Sequence, residues 1–160
     1  MNILVTGGCG YLGTVLVEKL LNKKYKVIVI DNMWFGNYIK KNKKLTIIKD
    51  DFRNINKYKL PKIYSIIHLA NIANDPSAEL NPNLSWEINV LGTEILMNYA
   101  KNKKIKKFLY ASSGSVYGIK KEKKVTENLE LVPISLYNKT KMIAEKIISS
   151  YSDQIDFFCI

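Results

Sequence analysis

Three glycines, Gly7, Gly10 and Gly13, stand at even intervals within Thr6-Gly7-Gly8-Cys9-Gly10-Tyr11-Leu12-Gly13, and no other stretch limits the fold so tightly. The apolar run Ile3-Leu4-Val5 precedes them and reads as a short buried strand; Thr14 to Leu21 follows and reads as an amphipathic helix. A tight strand-to-helix turn needs backbone angles that glycine adopts cheaply. An anion approaches the main chain closely only where no Cβ intervenes, and the third glycine lets helix and strand pack together. The helix start then offers unpaired N–H groups and a partial positive charge. A second apolar run, Val27 to Ile30, ends in Asp31, where a carboxylate can accept hydrogen bonds from a ribose 2′-hydroxyl. Strand, glycine turn, helix, strand and acid in this order point to a dinucleotide site. Asp31 favours NAD over NADP, because a 2′-phosphate would meet a negative charge; Lys40, Lys41 or Lys43 reaching round is the competing route.

Apolar runs and helical patterns then alternate through the chain, with no internal repeat, which argues for one parallel sheet covered on both faces, a three-layer α/β/α domain. Strands are expected at about 2–6, 26–30, 45–48, 65–70, 107–112 and 155–160. Helices are expected at about 11–22, from 83 or 85 to 102, and 135–150, with a loop over 114–133. On the second helix Leu84, Ile88, Leu91, Ile95 and Tyr99 fall on one face. An apolar strand closing the sequence predicts a chain that is the N-terminal part of something longer, since an uncovered apolar edge invites aggregation.

Composition narrows the class. At 160 residues with 47% apolar and 24% charged residues, the chain suits one soluble globular domain. No apolar run has the length of a membrane span, and the early glycine turn leaves no room for a secretory leader. Cys9 and Cys159 lack metal-ligand spacing and read as free thiols of a reducing compartment, so the cytoplasm is the expected location and no metal is expected. The net charge of +11 raises a nucleic-acid reading, but no aromatic–basic interleaving accompanies the lysine clusters. Solvated lysines that attract an anionic cofactor and substrate are the preferred account.

Chemistry is expected at the carboxyl ends of the strands, where open α/β sheets bind ligands. There the fifth strand delivers Ser112-Ser113, and the following helix carries Tyr137 and Lys141, four residues apart and on one face. An ammonium beside a phenol lowers the phenol's pKa toward the working pH and suits it to general acid–base work on a hydroxyl or carbonyl. Ser113 adds a hydrogen bond to the same oxygen, a set suited to hydride transfer at a carbinol carbon.

These segments resemble the N-terminal half of an extended short-chain dehydrogenase/reductase, in the NAD-dependent epimerase/dehydratase family of nucleotide-sugar enzymes. The resemblance runs through TGGCGYLG at 6–13, IDN at 30–32, DFR at 51–53, HLA at 68–70, NVLGT at 89–93, SSGSVYG at 112–118 and YNKTK at 137–141. It implies a Rossmann-type doubly wound sheet over 1–160, with a C-terminal substrate domain absent from this chain. It implies Ser113, Tyr137 and Lys141 as the catalytic set, with Tyr137 and Lys141 also touching the nicotinamide end of the cofactor. Cofactor contacts are implied at Gly7, Gly10, Tyr11, Leu12 and Gly13, and at Asp31 and Asn32. Asp51 and Phe52 are implied to flank the adenine, and Leu69 and Ala70 to line the groove. Asn89 is implied to order the site and to contact the cofactor, and Ser112 to meet the cofactor.

The implied reaction is epimerisation of a nucleotide sugar: Tyr137 takes a proton from a sugar hydroxyl as hydride leaves for NAD, and return of the hydride to the other face inverts the centre. Ser113-Gly114-Ser115 stands where sugar dehydratases of the family carry Thr-Asp-Glu, which speaks against elimination of water. Decarboxylation, reduction or dehydration of a nucleotide sugar, or a truncated NAD-binding module without turnover, are the alternatives. The family also implies a homodimer packed through the helices at 84–102 and 135–150. His68 is read as structural, with catalytic support as the lesser alternative. Cys9 is read as a small neutral filler, and Arg53 either as a cofactor contact or as a surface residue. Asp75 and Glu79, on the loop after the fourth strand, are read either as facing substrate or as solvated acids at a helix start.

Overall fold

The computed structural model describes residues 1–160. Six strands, β1 (Asn2–Thr6), β2 (Lys26–Asp31), β3 (Leu45–Lys49), β4 (Ser65–His68), β5 (Lys107–Tyr110) and β6 (Asp156–Cys159), form one sheet in the order β3-β2-β1-β4-β5-β6. Every pairing is parallel. The chain moves outward from β1 to β3, crosses back, and continues outward from β4 on the other side. That reversal makes the carboxyl ends of β1 and β4 the topological switch point, where side elements diverge and leave a crevice.

Successive side chains of a strand point to opposite faces, and here both faces are covered. Leu4, Ile28, Ile66 and Phe108 enter the larger core, with Leu96, Met97 and Ile148 from the helices. Ile3, Val5, Val27 and Val29 enter the smaller one, with Val17 and Leu21 from α1 (Tyr11–Asn22). Burial on both faces explains why the strands read as unbroken apolar runs rather than alternating ones. No helix is long and apolar enough to cross a membrane.

The expected strands and outer helices lie within a residue or two of their predicted bounds; the region between β4 and β5 does not. Asp75 and Glu79 lie on a short helix, α2 (Asp75–Leu80), not on a loop; the Asn74 side chain caps its start by accepting from Ser77 N. Asn81, extended before Pro82, breaks the chain direction, since the residue preceding proline is disfavoured in helical geometry. What was expected as one helix is α3 (Pro82–Trp86), a π-helical turn at Glu87–Leu91, and α4 (Gly92–Asn102). The π turn inserts an extra residue and rotates the following face. Leu91 is therefore exposed, while Leu96 and Met97 take the core positions. Between β5 and α5 (Leu136–Ser149) runs an irregular segment with one 3-10 turn at Gly114–Tyr117.

Candidate active site

The glycine turn closes against the end of β4. Gly7 has φ +71°, and a Cβ there would stand 2.5 Å from the Ala70 nitrogen. A Cβ on Gly13 would stand 2.4 Å from the Gly7 carbonyl oxygen, so α1 seats on the turn only because that atom is missing. Gly10 occupies the helix-capping position and brings no side chain to the first-turn N–H groups of α1, which remain free for an anion.

Asp31 ends β2 with both carboxylate oxygens engaged: Cys9 N donates to Oδ2 (2.9 Å) and Met33 N donates to Oδ1 (2.7 Å). The acid that ends β2 is thus bolted to the glycine turn that ends β1. Cys9 is buried, and burial pushes its thiol up to about 11, with the Asp31 charge adding to it, so it fills space as a neutral group.

A groove of about 820 Å³ lies over the switch point, within the size range of cofactor sites. Gly7, Gly10, Gly13, Tyr11 and Leu12 form one wall, and Asp31 with Asn32 one end. Asp51 and Phe52 border it below β3, and Leu69 and Ala70 border it above β4. A turn emptied of Cβ atoms, a free helix start and a fixed carboxylate fit a dinucleotide. Trp34, Phe35 and Tyr38 also line the groove and are exposed, a rim that the sequence reading passed over. Three aromatics directly after the β2 acid were the available signal.

Asp51 caps the turn at Phe52–Lys57 and is clasped by Arg53, whose Nη2 lies 2.7 Å from Oδ2. Burial works against ionisation of Asp51, but the bonds and charge of Arg53 outweigh it and hold the carboxyl below its ordinary range. Arg53 also donates to Glu87 (3.1 Å), so its guanidinium binds the chain to itself rather than standing free at the surface.

α5 packs its residues against the end of β5, where Ala111 borders the groove; Ser112, Ser113, Tyr137 and Lys141 do not line it. Lys141 is buried, and its ammonium donates to the Ala111 carbonyl (2.6 Å). It lies 4.6 Å from the Tyr110 ring centroid and 5.6 Å from that of Tyr137. Burial pulls Lys141 down to about 7.

The expectation that Lys141 lowers the Tyr137 phenol is not met: burial raises Tyr137 above the ordinary phenol value, with Ser113 pulling the other way and the Asp75 charge adding to the rise. The amine is turned to Ala111 and lies beside the ring, so it exerts no dominating field at the phenol oxygen. Ser113 Oγ lies 2.6 Å from Ser115 Oγ, which donates to Asn138 Oδ1 (2.6 Å), and no carboxylate occupies positions 113–115. Asp75 accepts from Ser135, the cap of α5, which brings an acid from α2 to the same mouth.

Asn89 is fully buried and does not line the groove. Its amide accepts from Ile72 N (2.8 Å) and donates to Ile72 O (3.1 Å) and Thr140 Oγ1 (3.1 Å). Thr140 in turn donates to the Tyr137 carbonyl (2.7 Å). Asn89 therefore fixes the strand-four loop and the helix turn that bears the phenol.

A second buried chain meets it. Thr93 donates to the Asn89 carbonyl (2.7 Å), which leaves its oxygen to accept from His68 Nε2 (3.1 Å). Thr6 then donates to His68 Nδ1 (2.6 Å). Enclosed by Phe52, Phe108 and Tyr110, His68 is driven to about 3 by burial, with the Lys141 charge adding to the fall. It is neutral and structural, as the preferred reading held. Thr93, Thr140 and Glu145 were missed; Glu145, four residues beyond Lys141 on one helical face, carried a readable signal.

A parallel sheet reversing at a glycine-lined crevice, with Ser113, Tyr137 and Lys141 on the elements that follow β4, defines the class of extended short-chain dehydrogenase/reductases. The model of the NAD dependent epimerase/dehydratase family matches residues 3–160, and the chain belongs to that family. It is 31% identical over 160 residues to a UDP-glucose 4-epimerase of Lactobacillus helveticus, covering 98% of this chain and 48% of that one. A UDP-N-acetylglucosamine 4-epimerase of Methanobrevibacter ruminantium, solved with UDP-N-acetylmuramic acid, superposes with TM-score 0.89 at 29% identity, covering 99% of this chain and 53% of that one. A Thermus thermophilus UDP-glucose 4-epimerase solved with NAD gives 0.87 at 26% identity, covering 99% and 54%. The chain spans about half the length of the curated relatives it matches.

Proposed function

We propose that this chain is the cofactor-binding part of an NAD-dependent nucleotide-sugar epimerase that inverts the sugar's C4 centre. The observation that carries the reading is one groove that is lined by Gly7, Gly10 and Gly13, ends at Asp31 and reaches Ala111, the residue whose carbonyl holds Lys141; Ser113, Tyr137 and Lys141 follow that residue in the chain. The similarity to UDP-sugar 4-epimerases supports the substrate class. Binding of the sugar by the part of the relatives' length that this chain does not cover belongs to the same proposal.

NAD, when bound, supplies the reversible hydride acceptor. Gly7, Gly10 and Gly13 with the start of α1 hold the pyrophosphate, Asp31 and Asn32 the adenosine ribose, and Asp51 and Phe52 the adenine. Leu69 and Ala70 exclude water along the groove. Tyr137 removes the proton from the sugar hydroxyl and later returns it, and Ser113 orients the same oxygen. Lys141, held at the Ala111 carbonyl beside the Tyr137 ring, would meet the nicotinamide ribose. Burial holds Tyr137 as a neutral phenol, and it would serve as a base only with a further positive charge beside it, such as an oxidised cofactor would supply. The absence of an acid at 113–115 favours epimerisation over loss of water.

Tyr137→Phe is expected to reduce conversion of UDP-glucose to its C4 epimer by at least about 100-fold in the protein purified from its native source. NAD affinity should stay within about threefold. Conversion retained in that variant would overturn the assignment.

A further inference from the structure

Glu145 takes no part in the reading above, yet its carboxylate reaches the end of β5. Ser112 Oγ donates to Glu145 Oε1, across 33 positions of sequence. One turn earlier on the same face of α5, Lys141 donates to the carbonyl of Ala111. Adjacent residues of the strand end are thus fastened to α5 by one cation and one anion, directly before Ser113. The main chain is pinned there too, because Ser112 N donates to the Ile160 carbonyl (2.6 Å).

The surroundings of Lys141 contain little else that is charged. Tyr110 on β5 lies under the amine, and His68 on β4 faces it, neutral in its aromatic cage. Cys159 on β6 also faces it, with a thiol that burial pushes up to about 12 and that is therefore protonated. Tyr137 flanks it on α5. No carboxylate comes within ion-pair distance of the ammonium. Glu145 is the acid whose field reaches it, and that field opposes the effect of burial.

We propose that Glu145, anchored by Ser112 one helical turn from the buried Lys141, is a positioning residue that supplies the negative charge nearest that amine along α5 and fixes the strand end that carries Ser113. The consequence for turnover rests on the catalytic reading of Lys141, whereas the charge state of the amine does not. A buried amine loses its proton readily, and a neutral Lys141 would not donate with full strength to a ribose hydroxyl. A hydroxyl-anchored carboxylate one turn away restores the charge without forming a contact ion pair, which would immobilise the amine away from the phenol.

The test reads the amine itself. In the 160-residue chain carrying 13Cε-labelled lysine, the Lys141 resonance, assigned by its loss in Lys141→Arg, is followed against pH. Glu145→Gln keeps the shape and an acceptor for Ser112 but removes the charge. The midpoint is expected to fall by about one pH unit, taking the protonated fraction at pH 7 from about half to about one tenth. Should that variant fail to fold, Glu145→Asp, which keeps the charge but shortens the reach, is expected to give a smaller fall. An unmoved midpoint in the folded variant overturns the proposal whatever the enzyme's activity. In the protein from its native source, the alkaline limb of the kcat profile of Glu145→Gln should move to lower pH by the same amount. A uniform loss of kcat with no movement of the limb would reduce Glu145 to a structural tie and also overturn the proposal.

Discussion

His68 shows how a residue's chemistry is set by what encloses it. A lone histidine at a strand end beside a cofactor groove invites an acid–base reading, yet here both ring nitrogens are satisfied by threonine hydroxyls and the ring is sealed among aromatics. Its folded pKa, about 3, lies below that of the unfolded chain, so the unfolded state binds the extra proton. The stability this contributes is complete above about pH 6.5 and is lost as the pH falls toward about 3. Urea denaturation followed from pH 7.5 to 4 should show that loss, and His68→Gln should flatten the slope below pH 6.5. An equal slope in the variant would place the proton elsewhere. At this scale the sequence told the residue types but not their enclosure. Asp31 and Lys141 were readable because local spacing defines them. Thr93, Thr140 and the Ser112–Glu145 bond join positions far apart in the chain, and no local pattern announces such pairs.

The helices between β4 and β5 show the same limit at the scale of an element. Periodicity over 84–102 gave a helix but not the π turn at Glu87–Leu91, because the cause of the turn lies outside the segment. Asn89 turns inward to bind both backbone groups of Ile72, and Thr93 bonds back to the Asn89 carbonyl inside the helix. An amide that replaces water at two buried backbone groups is costly to remove, since each orphaned group loses about 1–3 kcal/mol. Asn89→Ala should therefore lower the unfolding free energy by about 3 kcal/mol, measured by chemical denaturation, and weaken the order of the Tyr137 turn. A variant as stable as the parent would show that the clamp is incidental. The glycine turn is the opposite case: its geometry is dictated within its own residues, and there sequence and structure coincide.

For the whole molecule, the parallel sheet and its switch point followed from the alternation of apolar runs, because burial on both faces leaves a mark on every strand. The rim of Trp34, Phe35 and Tyr38 left no such mark, since exposed aromatics in a loop carry no period. The proposed function turns on the crevice between β1 and β4 holding a dinucleotide, with Asp31 selecting which one. Calorimetric titration of the chain with NAD+ and with NADP+ tests it most directly. The account predicts one saturable site for NAD+ and binding of NADP+ at least about tenfold weaker, a difference of about 1.4 kcal/mol. No saturable binding of NAD+, or equal affinity for NADP+, would contradict it.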